Sequence, residues 1–174
     1  MKFRLILLLM FFLFLIEGTI MHWLIPAGWT DRLLPQFTYI FVLYAALYSG
    51  RHIALLLGLG FGLLQDIVYY GHMIGVNGFA MGLCGYFFGL LFGLKRIPMP
   101  ATLSLIGFSC LLYNTIVYFI YFVFRITQES YEWALVNHIV PSLFLQLAFA
   151  LAFYVPARRW FEGAFKKKTA DEEE

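Results

Sequence analysis

Long apolar runs separated by short polar stretches make up most of the chain. Six runs can be drawn, at Phe3 to Leu24, Leu33 to Tyr48, His52 to Tyr70, Gly75 to Leu94, Ala101 to Phe124 and Ala134 to Val155. Each is near the ~20 residues that a helix needs to cross a ~30 Å hydrocarbon core, and the second is the shortest. A backbone facing lipid must satisfy its own hydrogen bonds, and runs this long and continuous are not barrel strands. The expected fold is therefore all-α, a polytopic membrane bundle of six transmembrane helices. Pro26, Pro35, Pro98, Pro100 and Pro156 lie at or near run ends; Pro141 sits well inside the sixth run, where a kink is expected. The domain division is a six-helix transmembrane domain over 1–156 and a tail over 157–174.

Composition narrows the class. With 62% hydrophobic, 20% aromatic and 13% charged residues in 174, the chain lacks the polar surface to cover a soluble globule. The charges give a topology. If both termini are cytoplasmic, the inner side holds Lys2, Arg4, Arg51, Lys95, Arg96, Arg158, Arg159 and Lys166 to Lys168, and the outer side holds only Arg32 and Arg125. The first run, interrupted by Glu17 and followed by no small-residue cleavage site, reads as a retained signal anchor. In the basic-then-acidic tail, Arg158, Arg159 and the lysines beside Trp160, Phe161 and Phe165 suit anionic lipids, with topology anchoring and a cytoplasmic partner as the alternatives. Four terminal acids and the lack of a soluble domain argue against nucleic acid.

Ten of the fifteen glycines lie between Gly58 and Gly93. Gly58 and Gly62 are four apart, and Gly78, Gly82, Gly85, Gly89 and Gly93 step by four, three, four and four, which keeps them on one face. Such faces let helix backbones approach closely, the main route to helix association in lipid. They serve either internal packing of the third helix on the fourth or docking of another protein's helix. Gly71 and Gly75, on either side of His72, mark a tight outer hairpin.

Depth makes the polar residues informative. At ~1.5 Å per residue, Glu17, Asp66 and Asn114 each lie roughly 20 Å from the inner end of an outward-running helix. They share a layer in the outer half, which Asn77, Asn137 and His138 approach from the outer side. A hydrogen-bonded polar layer around Asp66 and Glu17 is expected, since an intramembrane carboxylate without partners is costly. Glu17 has a blander reading as an acid reaching the interface, and Asn77 as a cap or hairpin residue. Beyond His52 at its inner edge, the inner half carries no acid or histidine, mainly Thr102, Ser104 and Gln146. Tyr113, Tyr118 and Tyr121 read as packing and interface aromatics, and Cys84 and Cys110 as packing thiols. His72 and His138 lack ligand spacing, so no metal or other cofactor is expected, and no nucleophile–base pair or paired aspartates appear at helical spacing, so neither is an enzyme.

The order Pro35-Gln36-Phe37-Thr38, then Gly58-x-Gly60-Phe61-Gly62-Leu63-Leu64-x-Asp66, then Gly75-x-Asn77-Gly78-Phe79-Ala80 and Gly85-Tyr86-x-x-Gly89 resembles the MreD family of bacterial rod shape-determining membrane proteins. The match in size and helix count covers nearly the whole chain. The resemblance implies a non-enzymatic, multi-pass scaffold of the cell-elongation complex in the bacterial inner membrane. It would bind the coiled-coil membrane protein MreC and support peptidoglycan synthesis alongside MreB, RodA and its transpeptidase. It also implies a fold similar to the substrate-binding subunits of energy-coupling-factor transporters. On the family's motif, Asp66, Gly75, Asn77 and Gly78 are the fold-critical or partner-binding candidates; Glu17 and Asn114 are added on depth alone. A small-molecule-binding subunit of a membrane transporter is the alternative, against which stand the uniformly bulky stretch Leu5 to Ile16 and the absence of an inner relay.

Overall fold

The computed structural model describes residues 2–24, 36–68, 73–93 and 97–171, with side chains defined over 6–19 in the first helix and as far as 159 in the last. The motif residue Pro35, the proposed outer residues Arg32, Gly71 and His72 and the inner residues Lys95 and Arg96 lie outside the described residues, as do the side chains of Lys2, Arg4 and the tail beyond 159.

All described secondary structure is helical: α1 (Lys2–Leu24), α2 (Phe37–Ser49), α3 (Arg51–Val68), α4 (Val76–Phe92), α5 (Met99–Val123), α6 (Tyr131–Ala134) and α7 (Val140–Asp171). A π-helical turn over Leu135–Ile139 joins α6 to α7, so the last two form one rod. Proline explains the turn. Pro141 has no N–H to give to the preceding turn and its ring crowds the carbonyl there; one wider turn absorbs the misfit. The rod also runs on through Pro156 to Asp171, well beyond Val155, where the apolar run ends. Among the described residues, three segments are long and apolar enough to cross a membrane, Arg51–Val68, Met99–Val123 and Tyr131–Arg159.

The centre of the bundle is α2. Every residue from Thr38 to Leu47 is buried, against α1, α3, α4, α5 and α7, which accounts for its being apolar all round rather than on one stripe. At thirteen residues it is only ~20 Å long, too short to span the hydrocarbon by itself. A single residue, Gly50, links it to α3, with φ 97°, a left-handed conformation that a side chain would oppose. The outer surface is conversely apolar: Leu56 and Phe144 are 70% exposed and Val123 71%. Apolar outside and polar groups inside fit a protein solvated by lipid rather than water.

The α3–α4 hairpin packs at backbone contact. A Cβ on Gly62 would lie 2.5 Å from Cα of Gly78, and one on Gly58 2.8 Å from the backbone of Met81 and Gly82. Gly78 and Gly82 press on Leu63 and Leu59 of α3. Further down α4, Gly85 lies against Val42 of α2 and Ala54 of α3, Gly89 against Arg51, and Gly93 against Ala46. The glycine face is thus covered from inside by α3 and α2.

Candidate functional site

Two helix N-termini point into the bundle, and neither is capped by its own residues. The residue before α4 is Gly75, at φ 100°, which has no side chain to offer, and the one before α2 is Gln36, whose side chain makes no capping bond. The first N–H groups of a helix have no intrahelical acceptor, so a buried N-terminus needs acceptors from elsewhere. A carboxylate from a neighbouring helix supplies them in both cases.

At α4 the acceptor is Asp66, near the end of α3 and 1% exposed. Its Oδ2 accepts from the backbone N–H of Gly75 at 2.8 Å, Asn77 at 3.2 Å and Gly78 at 3.4 Å. Its Oδ1 accepts from Nδ2 of Asn77 at 2.8 Å. The charge also sits at the positive end of the α4 dipole. Asn77 passes the network on: its Oδ1 accepts from the Tyr113 hydroxyl of α5 at 2.6 Å. The Tyr113 ring stacks on Tyr39 of α2 at 4.5 Å between centroids, and the Tyr39 hydroxyl lies 2.6 Å from Ser109 Oγ. Asn77 is therefore a bridge between the capping acid and α5; the cap of α4 is Asp66.

At α2 the acceptor is Glu17 of α1, also buried. Its Oε2 accepts from the backbone N–H of Thr38 at 3.0 Å and from the Thr38 hydroxyl at 2.8 Å. Its Oε1 accepts from Nε2 of Gln65 at 2.9 Å. Gln65 precedes Asp66, so two adjacent residues of α3 serve both caps, one by donating to Glu17 and the other by holding α4. Gly62 completes the geometry, because its missing side chain lets Asn77 and Gly78 come close enough for Asp66 to reach their amides.

Asn114 belongs to a second cluster. Its Oδ1 accepts from Nε2 of Gln36 at 3.5 Å, and Nε2 of Gln146 donates to Gln36 Oε1 at 3.1 Å; its own amide donates to the Cys110 carbonyl at 2.9 Å. The N-terminus of α2 is the meeting point of both clusters, through Gln36 on one side and Thr38 on the other. Gln146, expected in the inner half, is brought to the layer of Asn114. Asn137 and His138 stay apart from it. Asn137 donates to the Trp133 carbonyl one turn back, and His138 lies 3.9 Å from Glu129. Thr38, Gln65 and Gln36 were not singled out by sequence reasoning, although Gln36 and Thr38 stand in the quoted Pro-Gln-Phe-Thr stretch and Gln65 beside the acid.

Chemically, the site is a lock. Asp66 and Glu17 spend their acceptor capacity on helix amides and neighbouring side chains, and no group of three or more His, Cys, Asp or Glu that could hold a metal occurs among the described residues. Residues 1–163 match the family model of the rod shape-determining protein MreD. No curated protein and no solved structure matches the chain, so the likeness to energy-coupling-factor subunits rests on the sequence resemblance alone.

Proposed function

We propose, from the premise that this chain belongs to the MreD family of rod shape-determining membrane proteins, that it is a non-enzymatic scaffold of the cell-elongation complex. In this reading it is a bundle of six helical segments in the bacterial inner membrane with both termini in the cytoplasm, the short α2 lying inside the shell of the other helices rather than against lipid. Its partner is MreC, and through MreC it supports lateral peptidoglycan synthesis with MreB, RodA and the transpeptidase. The basic end of α7 rests on anionic lipid.

The observation that carries a scaffold over a transporter subunit is the use made of the two intramembrane acids. A binding pocket or carrier needs polar groups that a substrate can reach and that change partners during transport. Here Asp66 and Glu17 are buried and engaged by α4, α2 and Gln65, which suits a rigid body presenting a fixed apolar surface.

Depletion in the native cell, combined with photo-crosslinking from outward residues such as Phe79 of α4 and Phe119 of α5, both more than half exposed, tests the proposal. Rounding of rod cells and crosslinks to a single-span coiled-coil protein are expected. Normal shape with no crosslinked protein overturns the reading, as does substrate-driven flux by the purified protein in proteoliposomes.

A further inference from the structure

The stripe of α7 that faces α2 is polar where a packing stripe between membrane helices is usually apolar or small. Ser142, Gln146, Ala150 and Tyr154 follow one another at intervals of four, and all four are buried. Across from α7 stand Gln36, which precedes α2, and Phe37, Phe41 and Tyr44 of α2. The outer end of the seam holds the Gln146–Gln36 bond and the Phe37–Phe149 stack, 4.1 Å between centroids. Lower down, the Tyr44 hydroxyl donates to the Ala150 carbonyl at 2.6 Å, Tyr44 stacks on Tyr48, and Tyr154 follows Ala150 about one turn on along the same buried stripe.

Three buried side-chain atoms lack a hydrogen-bond partner among the described residues: Gln146 Oε1, Tyr154 Oη and Ser49 Oγ. Two of them are on the inward stripe of α7, and the third ends α2. Buried polar groups are satisfied in native structures by protein or by ordered water, and a buried water takes about three hydrogen bonds from such groups. Gln146 and Tyr154 are eight residues apart, ~12 Å along the helix, so no single molecule serves both.

We infer that the α2–α7 seam binds at least two ordered water molecules, an outer one on Gln146 Oε1 beside the Gln36–Asn114 cluster and an inner one on Tyr154 Oη beside Tyr44. The Tyr44 hydroxyl donates to Ala150 and keeps its oxygen as an acceptor for the inner water. The last helix is then held to the central helix partly through exchangeable bonds, whereas α3 and α4 are held by direct backbone contact.

Radiolytic hydroxyl-radical footprinting of the full-length protein in nanodiscs tests this, because radicals formed from bound water label the side chains next to it even where bulk water is excluded. Tyr39 and Tyr113, as fully buried as Tyr44 but with satisfied hydroxyls, give the dry baseline; Tyr154 is slightly more open, at 5%. Tyr44 and Tyr154 are expected to label several-fold faster than Tyr39 and Tyr113, and labelling of the half-buried Phe149 is expected to fall in Gln146→Leu, which removes the outer anchor. Tyr154→Phe removes the inner anchor without removing the ring, and should lower labelling of Tyr44 while Tyr39 and Tyr113 stay at baseline. Labelling of Tyr44 and Tyr154 at the baseline rate in the wild-type protein overturns the inner site, whatever the variant does. Phe149 labelling unchanged in a folded Gln146→Leu protein overturns the outer one. Tyr44 labelling that persists in a folded Tyr154→Phe protein removes Tyr154 as the anchor.

Discussion

Replacing Asp66 separates its role as a helix cap from a mere tolerance of charge. The carboxylate accepts four hydrogen bonds, two of them at 2.8 Å, from Gly75 N–H and Asn77 Nδ2–H, and two longer ones at 3.2 and 3.4 Å. A hydrogen bond to a charged group contributes about 1.5–3 kcal/mol, and leaving its partner buried and unpaired costs a similar amount. Counting the two short bonds alone, Asp66→Leu should destabilise the bundle by about 3–6 kcal/mol. Asp66→Asn keeps an oxygen for the α4 amides and loses the charge, while its new NH2 faces the Asn77 donor until that amide turns over. A cost of about 1–2 kcal/mol follows, since charge-assisted bonds are about twice as strong as neutral ones. Reversible unfolding in mixed micelles, followed by helicity, measures both. In the cycle with Asn77→Ala, Asp66→Leu should show coupling of at least ~0.5 kcal/mol. An Asp66→Leu protein as stable as the wild type, or no coupling to Asn77, refutes the capping account.

Gly62→Ala sets a Cβ 2.5 Å from the Gly78 backbone, where nothing flexible can yield; thermal denaturation in detergent should show a large loss of stability. Gly60→Ala two residues earlier meets nothing within 4 Å and should leave stability unchanged or raise it by up to ~1 kcal/mol through helix propensity. Tyr113→Phe removes the bond to Asn77 and keeps the ring stack on Tyr39, so a loss of about 1 kcal/mol is expected in the same unfolding assay. Glu17→Ala strips the cap from α2 and the acceptor from Gln65; hydrogen exchange should rise at the first turn of α2 before it rises in the α3–α4 hairpin.

The helices were legible because each apolar run is longer than a strand allows, and a close-packing face because glycines step by four and three; that α3 and α2 cover it, rather than another protein's helix, came from the structure. What each acid does was not legible. Depth counting puts Glu17 and Asp66 in one layer, but a carboxylate that caps a different helix has no local signature, and neither Thr38 nor Gln65 stands out by type. The central place of α2 escaped for a related reason: a helix buried on all sides and one facing lipid on all sides share a composition. The bond of Gln146 to Gln36 was not legible either, since the apolar run from Ala134 to Val155 does not mark where the helix begins and ends. The rod begins at Tyr131 and continues through Pro156 to Asp171, and hydrophobicity alone marks neither end.

Order of synthesis gives the position of α2 a further meaning. Its N-terminal hub is closed by Gln146, 110 residues downstream, and its Tyr44 by Ala150, 106 residues downstream. While the chain is being made, α1, α2 and the α3–α4 hairpin are complete before the wall that encloses α2 exists. The hairpin needs only neighbouring sequence to close, so it is suited to form early, whereas α2 must wait for the last helix to arrive. A nascent chain stopped before α7 would hold a short apolar helix with one flank bare to lipid, and its maturation would be governed by the slow closure of a long loop.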